Sequence, residues 1–174
     1  MKHALILHAW YNTPQNHWYP WLKKELEKKG YNVDIPDLPT MNTALPDLAK
    51  HVNVAEKYVT GETIVIGHSL GALLGMRLAE KHDFKKLILI AGWDFNELTP
   101  EHRLYWQMPM DHAAIKSHVK NVYVVSSDND PYVTAFTAEE MCKRLGGKFI
   151  LVKGAGHFTK EFGITKIPEI LTLF

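Results

Sequence analysis

The sequence predicts a three-layer α/β sandwich, a six-stranded and mostly parallel sheet with helices on both faces. Two observations predict it. Six short aliphatic runs alternate with stretches of helical periodicity, and runs that are apolar throughout are what strands buried on both faces look like. The connections between them are also long enough for parallel crossovers, which need about a dozen residues or more.

The first strand is Leu5-Ile6-Leu7, followed by a loop containing Asn12, Pro14 and Asn16. A helix is expected from Pro20 to Lys29, with Trp18, Leu22 and Leu26 on one side and Gly30 as its stop. Tyr31 to Ile35 reads as the second strand, closed by Pro36 and Pro39. Asn42 or Thr43 can cap the next helix, in which Leu45, Leu48, Val52, Ala55 and Val59 recur at spacings of three and four before Gly61. Thr63 to Ile66 is the third strand, and from Ser69 the chain turns directly into a helix carrying Leu70, Leu73, Leu74 and Leu78.

Lys86 to Ala91 is the fourth strand. An irregular segment, Gly92 to Asp111, comes next and could act as a lid, followed by a short helix near Ala113 to His118. Val122 to Val125 is the fifth strand. Thr137-Ala138-Glu139-Glu140 has capping-box spacing for a helix that stops at Gly146-Gly147. Phe149 to Val152 is the sixth strand, and the last residues are expected to form a final helix. The 174 residues fit one domain over 1–174 that can bury a core without a disulfide or a structural metal.

Charge and composition narrow the function. Lys and Arg number 20 against 19 Asp and Glu, so no net field draws the chain to nucleic acid or an anionic membrane. No stretch approaches a membrane span, and the apolar run at the amino terminus is too short for a signal peptide. Cys142 is the sole cysteine, which fits a packing residue and a cytoplasmic location. The ten histidines are scattered, and no His-x-x-x-His pair occurs. Neither a metal nor another cofactor is expected.

In sheets of this kind ligands bind beyond the carboxyl ends of the strands, and the reactive residue types collect there. Gly67-His68-Ser69-Leu70-Gly71 joins a strand to a helix without a spacer. This is the context of a nucleophile elbow, a strained turn that lifts a serine above the sheet while glycines on either side permit close backbone packing. Ser69 is the expected nucleophile. His68 is its neighbour on a tight turn, where adjacent side chains point apart, and is read as a supporting residue.

A serine hydroxyl needs a base to take its proton. His157, in Gly154-Ala155-Gly156-His157 after the sixth strand, is the candidate. Asp130, in Asp128-Asn129-Asp130-Pro131 after the fifth, is the candidate acid, with Asp128 and Asp94 as alternatives. The order serine, acid, histidine is that of α/β-hydrolase sheets. The backbone N–H of Leu70 should donate to a developing oxyanion. A second donor is sought after the first strand at Trp10 or Ala9, in a loop that His8 shapes. Tyr11, Trp93 and Phe158 are candidate pocket residues. Trp10, Trp18, Phe95, Trp106, Met108 and Met110 add apolar surface, of which half is expected to complete the core.

These motifs resemble the compact α/β hydrolases of the retinoblastoma-binding-protein-nine and YdeN-like type. The likeness runs through His8-Ala9-Trp10, the segment His17 to Leu26, the Ser69 turn, Asp130-Pro131-Tyr132-Val133 and Gly156-His157-Phe158. It implies a serine hydrolase with Ser69, Asp130 and His157 as its triad, acting on a small ester-like substrate, with thioesters and amides also open. Two positions depart from the pattern. Ala9 stands where many hydrolases have glycine, and Thr134 where a proline often closes the acid turn. The alternative is a protein-interaction module on a hydrolase scaffold, with exposed aromatics of the 92–111 loop as its anchor.

Overall fold

The computed structural model describes residues 2–174. Six strands form one sheet: β1 (His3–Leu7), β2 (Asn32–Asp34), β3 (Thr63–His68), β4 (Lys86–Ile90), β5 (Val122–Ser127) and β6 (Lys148–Val152). Their order is β2-β1-β3-β4-β5-β6, and every neighbouring pair is parallel. The chain order reverses at β1, so the crevice between the carboxyl ends of β1 and β3 is where such a sheet offers a binding site.

Side chains alternate faces along each strand. Leu5, Leu7, Val65, Leu87, Leu89 and Val124 enter one apolar core. Ala4, Ile6, Ile64, Ile66, Ile88 and Ile90 enter the other. The first core is covered by α2 (Leu48–Ala55), α3 (Leu70–Ala79), α4 (His112–His118) and α5 (Ala135–Leu145), which carry Ala55, Leu74, Ile115 and Met141 into it. The second is covered by α1 (Tyr19–Lys28) through Leu22 and Leu26, and by the carboxyl-terminal turns through Ile167 and Ile170. All ten residues of α3 are buried. The three layers expected from the sequence are therefore present.

Several boundaries differ for local reasons. α2 starts at Leu48 because the Asp47 carboxylate accepts the N–H groups of Ala49 and Lys50. Thr43 instead donates its hydroxyl to the Thr40 carbonyl in the preceding turn. α5 starts at Ala135, two residues early, because the Thr134 hydroxyl accepts the Thr137 N–H. Thr134 thus caps a helix at the position where the resemblance led one to look for proline. The last segment forms only a 3-10 turn, Pro168–Leu173, rather than an α-helix. Cys142 is buried against α5's neighbours, as a packing residue should be.

The 92–111 segment is anchored along its second half. The buried Arg77 guanidinium of α3 donates to the carbonyls of Tyr105, Met108 and Pro109, and pairs with Glu80 at 2.7 Å. Tyr105 donates to His51 Nδ1 at 2.5 Å, while His51 Nε2 donates to the Pro39 carbonyl at 2.7 Å. A 3-10 turn, Pro100–Tyr105, links these anchors to the sheet edge. Within the segment, Phe95, Leu98 and Met108 remain exposed.

Close backbone approach fixes two glycines. A Cβ at Gly71 would lie 2.2 Å from the Leu7 carbonyl oxygen, and one at Gly67 would lie 2.4 Å from that of Gly71. Those obstacles are backbone, so they cannot swing aside. Gly71→Ala is expected to destabilise the protein by about 3 kcal/mol or more, the upper end of overpacking costs. Urea unfolding of the variant beside the wild type measures this. A change under about 1 kcal/mol would show that α3 can move off β1.

Candidate active site

Ser69 follows β3 with φ 53° and ψ −118°, a conformation that side chains other than glycine adopt at a cost. Its N–H donates to the Ile90 carbonyl at 2.9 Å, so β4 holds the turn in place. Gly67 and Gly71 permit the tight passage, and the Ser69 side chain rises at the carboxyl edge of the sheet. There the Ser69 Oγ donates to His157 Nε2 at 2.9 Å, and His157 Nδ1 donates to Asp130 Oδ2 at 2.8 Å. Asp130 Oδ1 also accepts the N–H groups of Tyr132 and Val133, at 2.9 and 3.1 Å. The structure thus brings together the three residues that the chain order Ser69, Asp130, His157 singled out.

The loop that carries His157 is fastened by a feature not anticipated from the sequence. Ser127 Oγ accepts the Ala155 N–H, Asp128 accepts the Gly154 N–H and Asn129 accepts the Gly156 N–H, at 2.7 to 2.9 Å. The last residue of β5 and the three that follow it therefore hold four consecutive residues after β6. Asp128, considered as an alternative acid, is one of these fasteners. The signal for it was present: polar residues at the end of one strand, facing a glycine-rich loop at the end of the next.

The other carboxylate alternative lies elsewhere. Asp94 accepts from Arg144 Nε and Nη2 at 2.7 Å each, and from His112 Nε2 at 2.6 Å. Burial works to raise its pKa, but Arg144 and His112 outweigh it and hold the carboxyl below its ordinary range. It anchors α5 to the loop after β4.

Behind the serine, His68 closes a continuous chain of hydrogen bonds. The Ala9 N–H donates to the Tyr19 hydroxyl oxygen at 3.1 Å, and that hydroxyl donates to His68 Nδ1 at 2.6 Å. His68 Nε2 donates to the His157 carbonyl at 2.8 Å. One neutral tautomer satisfies every link. Burial is the main cause that keeps His68 far below the usual histidine pKa, with His157 nearby adding to it. His8 shapes the β1 loop, its Nε2 accepting the Leu38 N–H at 3.2 Å and its Nδ1 donating to the Ala9 carbonyl at 3.1 Å.

The Ala9 N–H is thereby occupied. Among the described residues, the N–H groups of Trp10 and Leu70 have no acceptor within the protein. Trp10 is held by its indole Nε1, which donates to the Thr43 carbonyl at 2.8 Å. The Trp10 amide lies on the loop after β1 and the Leu70 amide at the first residue of α3, both at the edge where Ser69 stands.

A cavity of about 820 Å³ opens over Ser69 and His157. Tyr11 and Trp93 line it, together with Trp10 and Phe95. Phe158 does not, which corrects its reading as a pocket residue. The side chain is fully buried and packs against the α1 face of the sheet, on a residue with φ 57°. Trp18 is likewise a core residue, and Trp106, Met108 and Met110 lie outside the cavity, Trp106 beneath the Arg77 guanidinium. Tyr132 meets the His157 ring edge-on at 4.9 Å. Among the described residues, no group of three or more His, Cys, Asp or Glu is arranged to hold a metal.

The family model described as "Serine hydrolase" matches residues 4–174. The chain is 27% identical to the YdeN protein of Bacillus subtilis, over 99% of this chain and 96% of that protein. It is 29% identical to the serine hydrolase RBBP9 of Rattus norvegicus, over 81% of this chain and 77% of that one. The crystal structure of the B. subtilis ydeN gene product superimposes with a TM-score of 0.88 at 25% identity, covering 99% of this chain and 96% of the other. A Xanthomonas campestris protein of the α/β hydrolase superfamily shares the fold over the full length of both chains, with a TM-score of 0.71 at 16% identity.

Three fully buried histidines give the protein a specific acid sensitivity. Burial lowers the pKa values of His8, His51 and His68, that of His51 to about 4. Unfolding frees each to bind a proton below about pH 6.5, so the unfolded chain is the more protonated state there. Stability is therefore highest above that pH and lost as pH falls, by up to about 1.4 kcal/mol per unit for each histidine. The His51 contribution levels off near pH 4. Urea unfolding is expected to show up to about 3 kcal/mol less stability at pH 5.5 than at 6.5, and an unchanged value would contradict the neutral assignments.

Proposed function

The chain belongs to the serine hydrolase family, and from that premise we propose that it cleaves carboxylic esters through an acyl-enzyme formed on Ser69. The observation that supports this most is the unbroken hydrogen-bond line from Ser69 Oγ through His157 to Asp130, with both outer distances under 3 Å. In this reading His157 Nε2 takes the serine proton as Oγ attacks the ester carbonyl. Asp130 stabilises the imidazolium that results and keeps the ring in the tautomer that can accept the proton.

The attacked carbonyl oxygen gains negative charge and turns towards the N–H groups of Leu70 and Trp10. Leu70 opens α3, whose dipole favours an anion at that end. Each such donor typically contributes about 10²-fold to 10³-fold in rate. His157 then protonates the departing alcohol, and water repeats the cycle to release the acid. The cavity's indole and phenyl walls suit an apolar acyl or aryl group. Thioesters follow the same route. Amides need the same acid step for a poorer leaving group.

Turnover of p-nitrophenyl butyrate tests the assignment. Ser69→Ala is expected to lose about 10⁶-fold in kcat. Asp130→Asn is expected to lose about 10⁴-fold, with the fold retained. Asp94→Asn should lower the melting temperature by weakening the Arg144 and His112 contacts and leave kcat within a few-fold. Turnover that survives Ser69→Ala, or that falls more at Asp94 than at Asp130, would reject the proposed roles.

A further inference from the structure

The wall around Ser69 is unbalanced in charge. It includes the carboxylates of Glu97 and Glu161, and among the described residues no lysine or arginine lines it. His17 lines it too, but burial is the main cause that holds its pKa low, so it supplies no positive charge at neutral pH. Glu97 accepts from Trp93 Nε1 at 2.8 Å and from His102 Nδ1. Burial would raise its pKa, yet those hydrogen bonds outweigh burial and keep it ionised. Glu161 lies exposed at the rim, and a hydrogen bond from Thr159 is the main cause that lowers its pKa.

Aromatic rings flank these carboxylates. Trp10, Tyr11, Trp93 and Phe95 line the cavity, and the Trp10 and Tyr11 rings lie 4.6 Å apart. His102, more than nine-tenths buried, sits between the indoles at 4.8 Å from Trp10 and 5.7 Å from Trp93. Its Nε2 has no hydrogen-bond partner among the described residues. The wall thus combines π faces, an unmet polar atom and two carboxylates. The π faces attract a cation, and the carboxylates attract it further. An anionic group would meet two like charges on this wall.

We propose that this cavity selects substrates that carry an alkylammonium group, held by the aromatic faces of Trp10 and Trp93 and by the charges of Glu97 and Glu161. The inference rests on the reading of Ser69 as a nucleophile and names the substrate class for it. It requires no step beyond the acyl transfer already described, because the cation is bound and not transformed.

Three thioacetates of similar size test it through release of their thiols: the 2-(trimethylammonio)ethyl ester, its uncharged 3,3-dimethylbutyl isostere and the 2-carboxyethyl ester. At low salt the cationic ester is expected to exceed the neutral one by roughly tenfold in kcat/KM, with the anionic ester lowest. Glu97→Gln keeps an acceptor for Trp93, and Glu161→Gln alters an exposed side chain. Each should cut the ratio of cationic to neutral kcat/KM by about three-fold or more. Equal rates for cation and neutral isostere, or a preference that neither substitution reduces, would overturn the proposal.

Binding of benzyltrimethylammonium to the wild-type protein, followed by titration calorimetry, separates the two readings. Hydrolysis without charge preference and without binding of this cation leaves the esterase reading standing and rejects the cation site. Binding that weakens in Glu97→Gln, with no ester turned over, supports the cation site and rejects the esterase reading.

Discussion

The imidazole of His157 must meet a hydroxyl on one side and a carboxylate on the other, each within hydrogen-bond distance, although its loop leaves the sheet at an edge. β6 has a neighbour on one side only and is the least buried of the longer strands. A glycine-rich loop from such a strand would wander unless fastened. The fastening is the stretch Ser127-Asp128-Asn129, whose three side chains take the N–H groups of residues 154 to 156, so that Asp130 arrives opposite His157. Removing one fastener would leave a backbone donor without its partner and the ring free to drift. An ångström of drift is enough to lose much of the benefit of positioning.

From the opposite side the same imidazole is held through its own backbone. His68 donates to the His157 carbonyl, and through Tyr19 it reaches the Ala9 amide of the β1 loop. The serine turn, the histidine loop and the loop bearing Trp10 are therefore tied together by one buried chain that carries no net charge. Burial keeps His68 neutral, and neutrality preserves the donor and acceptor that the chain requires. The cost is sensitivity to acid, because protonation would remove the Nδ1 acceptor that faces Tyr19.

Much of this arrangement is legible in the amino-acid sequence. Short β-branched runs such as Ile64-Val65-Ile66, bounded by turn residues, read as doubly buried strands, and the parallel order then brings the loops with Ser69, Asp130 and His157 to one edge. What eluded the sequence depends on direction and not on position. Phe158 neighbours His157 in the chain, but its ring lies in the core. Trp18 and Trp10 are similar residues on one loop, and only Trp10 reaches the cavity. The partnership of Arg144 with Asp94 spans 50 residues and has no periodic signature. The Asp47 cap was missed because Asn42 and Thr43 offered the same chemistry a turn earlier.

In the proposed function, His157 and Asp130 make Ser69, and no other hydroxyl, the nucleophile. Labelling with a fluorophosphonate and mapping the adduct by peptide mass spectrometry tests this most directly, because it reports the attacking atom without assuming a substrate. One adduct is expected, on the peptide containing Ser69, forming far more slowly in Asp130→Asn. An adduct on another serine, or labelling of the folded protein that is unchanged in Ser69→Ala, would contradict it.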